Sequence, residues 1–260
     1  MLVARFSNLL EGIRRSPEAP PELREKTLVA VLGMHRSGTS AVAGMLAGHG
    51  LEFGAIRERN RFNPRGNREI PELNELHESV LKRSGGSWWR PPPRTDVRAA
   101  DLRRRNRILA AIQGRTIAVK DPRMLVCPNL WDDLELKRIG VIRNPVAVRN
   151  SLAHRARERP HKHPQLSARE WEDVWVVYNR ALLAEHGLNP FPIVDFDRPD
   201  ELEGRVAGAL EFWGVGRAGS SGFLDPDLVR PDSDADWMTE AESPEALELW
   251  RTLAEIASRR

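Results

Sequence analysis

Three short stretches carry residue types that could hold and transfer a charged group. In the first, GMHRSGTS at residues 33–40, Gly33 and Gly38 are separated by four residues. An apolar run, TLVAVLG, leads into it, and Val42, Met45 and Leu46 follow at helical spacing. A glycine turn at a helix N-terminus aims backbone N–H groups and the helix dipole at an oxyanion. Ser37, Thr39 and Ser40 add hydroxyl donors, and Arg36 adds a charge that deprotonation does not remove. A nucleoside-triphosphate loop of this frame has a lysine before its Ser/Thr, acting on the β/γ-phosphates beside Mg²⁺. Here Thr39-Ser40 stands in that place. The frame therefore suits an anion that needs less charge and no metal. A plain tight strand–helix turn is the alternative for the same residues.

The second stretch is VIRNPVAVRNSL at 141–152. A strand ends at Ile142, Arg143 leaves it, Asn144 suits an N-cap and Pro145 the first helical position. Ser151 follows Arg143 by eight residues, two turns into that helix. A guanidinium fork with a hydroxyl could clamp a second phosphate; a capped helix with its arginines in water is the other reading. The third stretch, AVKDPR at 118–123, ends a strand on Lys120, with Arg123 either acting on substrate charge or pairing with Asp121.

The elements that position these stretches follow from periodicity. Apolar runs predict strands at 27–33, 116–120, 138–142 and 191–196. Helices are expected at 38–48, 68–83, about 95–112, within 164–187 and at 201–215, with more helix between the second and third strands and at the C-terminus. Trp171, Trp175 and Tyr178 share a helical face and read as core, and the RRRNR run of 103–107 as a solvated face. Residues 84–93 form a loop whose Trp88-Trp89 pair reads as a lid packed on the body, with a ligand platform as the alternative. His154, His161 and His163 lie in a basic segment expected to be a mobile loop. Strands alternating with helices indicate a three-layer α/β domain around a parallel sheet. All three chemical stretches then fall at carboxyl ends of strands, where such folds bind ligands.

The chain of 260 residues is 40% hydrophobic, enough for one large domain. We expect residues 1–26 to form an amphipathic segment docked on the body and a Pro/Glu-rich linker, and 27–260 a single α/β domain. Lys and Arg number 40 against 37 Asp and Glu, a net charge of +3 that calls for no nucleic-acid partner. The lone Cys127 excludes an intrachain disulfide and a cysteine metal site, and points to the cytoplasm. No metal site and no transmembrane segment are expected.

The pair GMHRSGTS and RNPVAVRNSL resembles the 5′-phosphosulfate loop and 3′-phosphate motif of sulfotransferases that use 3′-phosphoadenosine-5′-phosphosulfate (PAPS). The bacterial branch, with its GMHRSGTS loop and KDPR strand end, is most similar, over roughly residues 27–213. The resemblance implies a P-loop-like α/β fold and PAPS as co-substrate, with no metal. His35, Arg36, Ser37, Gly38, Thr39 and Ser40 would hold the phosphosulfate, and Arg143 and Ser151 the 3′-phosphate. It further implies sulfonate transfer to a hydroxyl or amine of a small-molecule or glycan acceptor. Lys120 matches the family's strand-end lysine and, with Arg36, would stabilise charge in the transfer. The cytosolic eukaryotic members carry a catalytic histidine where this chain has Pro122. A base is therefore sought elsewhere. Glu69, three residues after Gly66, resembles a glutamate of non-cytosolic members, and His77, eight residues further on, is the second candidate. The segments 52–66, 84–115 and 155–168 are expected to line the acceptor pocket. An atypical P-loop kinase and a non-catalytic nucleotide-binding protein are the competing functions.

Overall fold

The computed structural model describes residues 17–56, 66–216, 221–223 and 237–259. The amphipathic segment expected at the N-terminus, residues 57–65 of the expected acceptor-lining stretch 52–66, and residues 224–236 lie outside the described residues.

Four strands, β1 (Thr27–Leu32), β2 (Thr116–Lys120), β3 (Lys137–Ile142) and β4 (Ile193–Asp195), pair in the order β2–β1–β3–β4, every pair parallel. Helices cover both faces, which is why the strands read as unbroken apolar runs. Successive residues of one strand serve opposite layers. Val29, Val31, Ile139, Val141 and Val194 pack with α1 (Thr39–Gly48) and α6 (Pro199–Trp213). Leu28, Ala30, Leu32, Ile117, Val119, Ile142 and Ile193 face the larger layer. That layer holds α2 (Pro71–Arg83), α3 (Ala99–Ala111), α4 (Pro145–Glu158), α5 (Ala168–Leu188) and α7 (Pro244–Ser258). The fold is thus α/β with a central parallel sheet flanked by helices.

The chain passes from β1 to β2 on one side, then returns to place β3 on the other side of β1. Connections leaving the carboxyl ends of β1 and β3 diverge there, opening the crevice that parallel sheets use for ligands. The register brings the ends level: Val31 pairs with Lys120, and Leu32 with Gly140, so β3 runs two residues further, to Ile142.

Trp171, Trp175 and Tyr178 are core, as their spacing predicts. Three expectations are corrected. Between β2 and β3 there is no α-helix but two 3₁₀ turns, Pro122–Val126 and Pro128–Leu130. Pro128 falls where a helix begun at Pro122 would need its N–H, and its ring obstructs the preceding turn. The RRRNR run is not wholly a solvated face: Arg105 is fully buried, donating to both Asp133 oxygens and to the Leu130 carbonyl. A buried guanidinium is tolerated because these acceptors take its protons. The last strand is also shorter than expected, three residues instead of six.

Candidate functional site

The loop between β1 and α1 is built on glycine. A Cβ on Gly33 would lie 2.5 Å from the Val141 carbonyl oxygen, so this turn passes directly over β3. Gly38 caps α1 with φ 88°, and a Cβ there would meet the Phe196 ring at 2.1 Å. Arg36 also takes a left-handed conformation, φ 70°, which a non-glycine residue adopts at a cost. The first turn of α1 has no acidic residue and Gly38 offers no side-chain cap, while the Ala41 N–H turns back to the Gly38 carbonyl at 2.9 Å. Ser37 is buried, and its hydroxyl has no partner among the described residues.

Asn144 caps α4 by accepting the Ala147 N–H at 2.7 Å, with Pro145 at the first helical position. Asp197, just beyond β4, accepts from the Asn144 N–H at 2.6 Å and lies 3.6 Å from Arg143 Nε. The Trp175 indole donates to the Arg143 carbonyl, and the Arg143 guanidinium lies over Phe196 at 5.4 Å. Phe196 thus seats Arg143 and closes against Gly38 at once. The two sequence motifs meet directly: Arg36 Nε donates to Ser151 Oγ at 2.8 Å. Burial, with Arg155 and Arg143 nearby, lowers the Arg36 pKa to about 10. Burial likewise pulls Arg155 down. Cations gathered this closely raise the local potential, and an anion between them would relieve it.

On the β2 side, Lys120 Nζ donates to Glu69 Oε1 at 2.5 Å. Arg68, immediately before Glu69, is the second non-glycine described residue with positive φ, at 51°. Glu69 Oε2 accepts from Asn74 Nδ2 at 3.1 Å, and the same amide donates to Asp121 Oδ2 at 2.9 Å. His77 Nδ1 lies 2.9 Å from that oxygen, while His77 Nε2 accepts the Trp131 indole N–H at 3.0 Å. An indole only donates, so the His77 proton sits on Nδ1 and is given to Asp121. Arg123 serves the other Asp121 oxygen through its backbone N–H and its guanidinium, at 3.0 and 2.9 Å. Burial alone would raise the Asp121 carboxyl, but Arg123 and His77 outweigh it and hold it well below the usual carboxylate range.

The structure therefore brings Glu69, Lys120 and His77 into one network, and joins Arg36 to Ser151. It leaves His77 fully buried with both ring nitrogens engaged. Asn74 was not among the sequence candidates. Its only signal is its place on α2 three residues before His77, which sets both on one helical face. Arg123 does pair with Asp121, and also with Glu78.

Trp88 is a body-packed lid. Its ring lies 4.5 Å from His35 in the glycine loop and stacks at 6.0 Å on Trp171, and its carbonyl accepts the Tyr178 hydroxyl. Burial, then the charge of Arg123, hold His35 well below its ordinary value, so its imidazole is neutral at pH 7. His163, expected in a mobile basic loop, sits 6.2 Å from Trp88, edge-on. Among the described residues no group of three His, Cys, Asp or Glu is placed to hold a metal ion. No described helix is long and apolar enough to cross a membrane.

No family model matches the chain, and no curated protein matches it. Solved structures do. The sulfotransferase domain of the Synechococcus PCC 7002 olefin synthase superposes with a TM-score of 0.53 at 18% identity, covering 92% of this chain and 98% of that one. The sulfotransferase domain from the curacin biosynthetic pathway gives a TM-score of 0.54 at 15% identity, over 88% and 98%. This chain shares the fold of these sulfotransferase domains.

Proposed function

We propose that the protein transfers a sulfonate group from PAPS to a hydroxyl or amine of a small-molecule or glycan acceptor, residues 27–260 acting as one unit in the cytoplasm. The carrying observation is the Arg36–Ser151 hydrogen bond, which joins the glycine loop to the second arginine–hydroxyl motif in one cationic cleft. Two anionic groups on one ligand match that cleft better than one. Arg36, Ser37, Gly38, Thr39, Ser40 and the α1 N-terminus would hold the phosphosulfate, with His35 beside them in the loop. Arg143 and Ser151 would take the 3′-phosphate. The Ser37 hydroxyl, which has no partner among the described residues, the α1 first turn without an acidic residue and the crowded guanidiniums fit such an anion.

PAPS supplies an activated sulfonate on a stable leaving phosphate. Glu69 would take the acceptor's proton as the acceptor oxygen or nitrogen bonds to sulfur and the bond from sulfur to the phosphate oxygen breaks. Lys120, in contact with Glu69, would share its charge with the developing anion. His77, with no free nitrogen, acts behind Glu69 in this reading rather than on the acceptor.

Calorimetry against 3′-phosphoadenosine-5′-phosphate (PAP), with AMP and ATP as controls, tests the donor pocket. PAP should bind and AMP should not, and Arg143→Ala should weaken PAP by at least about tenfold, roughly 1.4 kcal/mol. Equal affinity for PAP and AMP would mean that no 3′-phosphate is read. Magnesium-dependent ATP turnover in that case would select the kinase alternative.

A further inference from the structure

The acceptor side of the cleft contains a continuous run of directed hydrogen bonds, and one amide is its joint. Trp131 donates to His77, His77 donates to Asp121, and Asn74 donates to both Asp121 and Glu69. Asp121 accepts four donors in all, two on each oxygen, so its carboxylate is saturated and fixed in place. Asn74, His77, Asp121 and Trp131 are all buried. With carboxylates on both sides, the Asn74 amide has one allowed orientation, N–H groups toward Asp121 and Glu69. Its own oxygen is then left buried with no donor among the described residues. The fold keeps that unsatisfied carbonyl and gains a rigid link from the core to Glu69.

We propose that Asn74 is the positioning residue for Glu69: anchored by Asp121, His77 and Trp131, its amide sets the direction in which the Glu69 carboxylate meets the acceptor's proton. This rests on the reading of Glu69 as the base. Lys120 holds the other Glu69 oxygen, and Arg123 and Arg155 are the further charges that act on it. Without the amide, Lys120 alone holds the carboxylate, and one contact does not fix a plane.

Water can stand in for the unidentified acceptor. Its oxygen bonds to sulfur, the bond from sulfur to the 5′-phosphate breaks, and the proton passes to Glu69, giving sulfate and PAP. Release of radioactive sulfate from ³⁵S-labelled PAPS is measured across pH 5–9, with PAP binding followed by calorimetry on the same preparations. Asn74→Ala should keep PAP affinity and lose about ten- to a hundredfold in maximal rate, the scale of a misplaced reacting group. Asn74→Asp places a third carboxylate between the two. It should be as slow as Asn74→Ala at pH 8 and recover toward pH 5, where its protonated form regains one donor. Trp131→Phe, which removes the far donor and keeps an aromatic ring against His77, should move the pH profile while leaving PAP affinity intact, and it serves if the Asn74 variants fail to fold. Full rates in Asn74→Ala and an unmoved profile in Trp131→Phe, with Glu69→Gln inactive, would overturn the proposal and leave Glu69 as base. Full activity in Glu69→Gln, or no sulfate release from the unaltered protein, would remove the reading beneath it.

Discussion

Arg36 holds its charge in a place that resists it. The residue is strained at φ 70°, half-buried, and set near Arg143 and Arg155, which with burial bring its pKa to about 10. A directional bond runs from its Nε to the Ser151 hydroxyl. A lysine could supply the charge, but its ammonium is a point charge on a flexible stem, without the planar fork that keeps N–H groups directed at a ligand while Nε holds Ser151. Arg36→Lys should therefore retain the fold and lose about tenfold or more in PAP affinity, read by calorimetry. The charge of Arg36 was legible in the sequence as the one cation within the loop, and Ser151 as a hydroxyl two turns into a helix. Their contact was not, because 115 residues separate them and only the parallel order of β1 and β3 closes that gap.

At the scale of elements, α4 begins just after Arg143, carries Ser151 two turns in, and places an anchor between the two. Arg149 donates to the buried Glu172 of α5 at 2.5 Å and to the Glu240 carbonyl. The second Glu172 oxygen accepts the N–H groups of Glu242 and Ser243, at the start of α7, at 2.9 and 2.6 Å. One buried carboxylate thus ties three elements, and removing its charge leaves the Arg149 guanidinium with the Glu240 carbonyl and, at 3.8 Å, the exposed Glu240 carboxylate. Glu172→Gln should destabilise the protein by about 3–5 kcal/mol, read in chemical denaturation, with faster amide exchange at 242 and 243. Neither residue stands out in the sequence. Arg149 reads as one more charge on a basic helix and Glu172 as a polar position beside Trp171, because patterning shows which face is apolar but not which charge is buried. Arg105 misled in the same way.

For the whole molecule, Asp195 couples the sheet to pH. It ends β4, its side chain is 8% exposed, and burial raises its pKa from 3.8 to about 6. Below about pH 4 the folded and unfolded chains both hold the proton and the residue costs nothing. Between there and pH 6 the unfolded chain releases it first, so stability falls as pH rises, and above pH 6 the full cost applies. At about 1.4 kcal/mol per pKa unit this is on the order of 3 kcal/mol. Asp195→Asn still accepts the Asp197 N–H, a 3.0 Å bond in the native protein. It should raise the melting temperature at pH 7.5 and leave it unchanged at pH 4. A variant no more stable than the parent at pH 7.5 would show that the carboxylate is solvated or compensated.

By itself the sequence determined the strands, most of the helices and the glycine loop, since these depend on local periodicity, on caps such as Asn144-Pro145 and on φ values open to glycine. It also placed three charged stretches at strand ends, because a parallel sheet puts all its carboxyl ends on one edge. Tertiary structure decided what those charges do. The joining of Arg36 to Ser151, the occupation of both His77 nitrogens, the Asn74 link to Asp121 and the burial of Arg105 and Glu172 each pair groups far apart in the chain. A charged side chain has the same identity in water and in the core. Its partners, which alone make burial tolerable, are set by packing between elements and have no periodic signature.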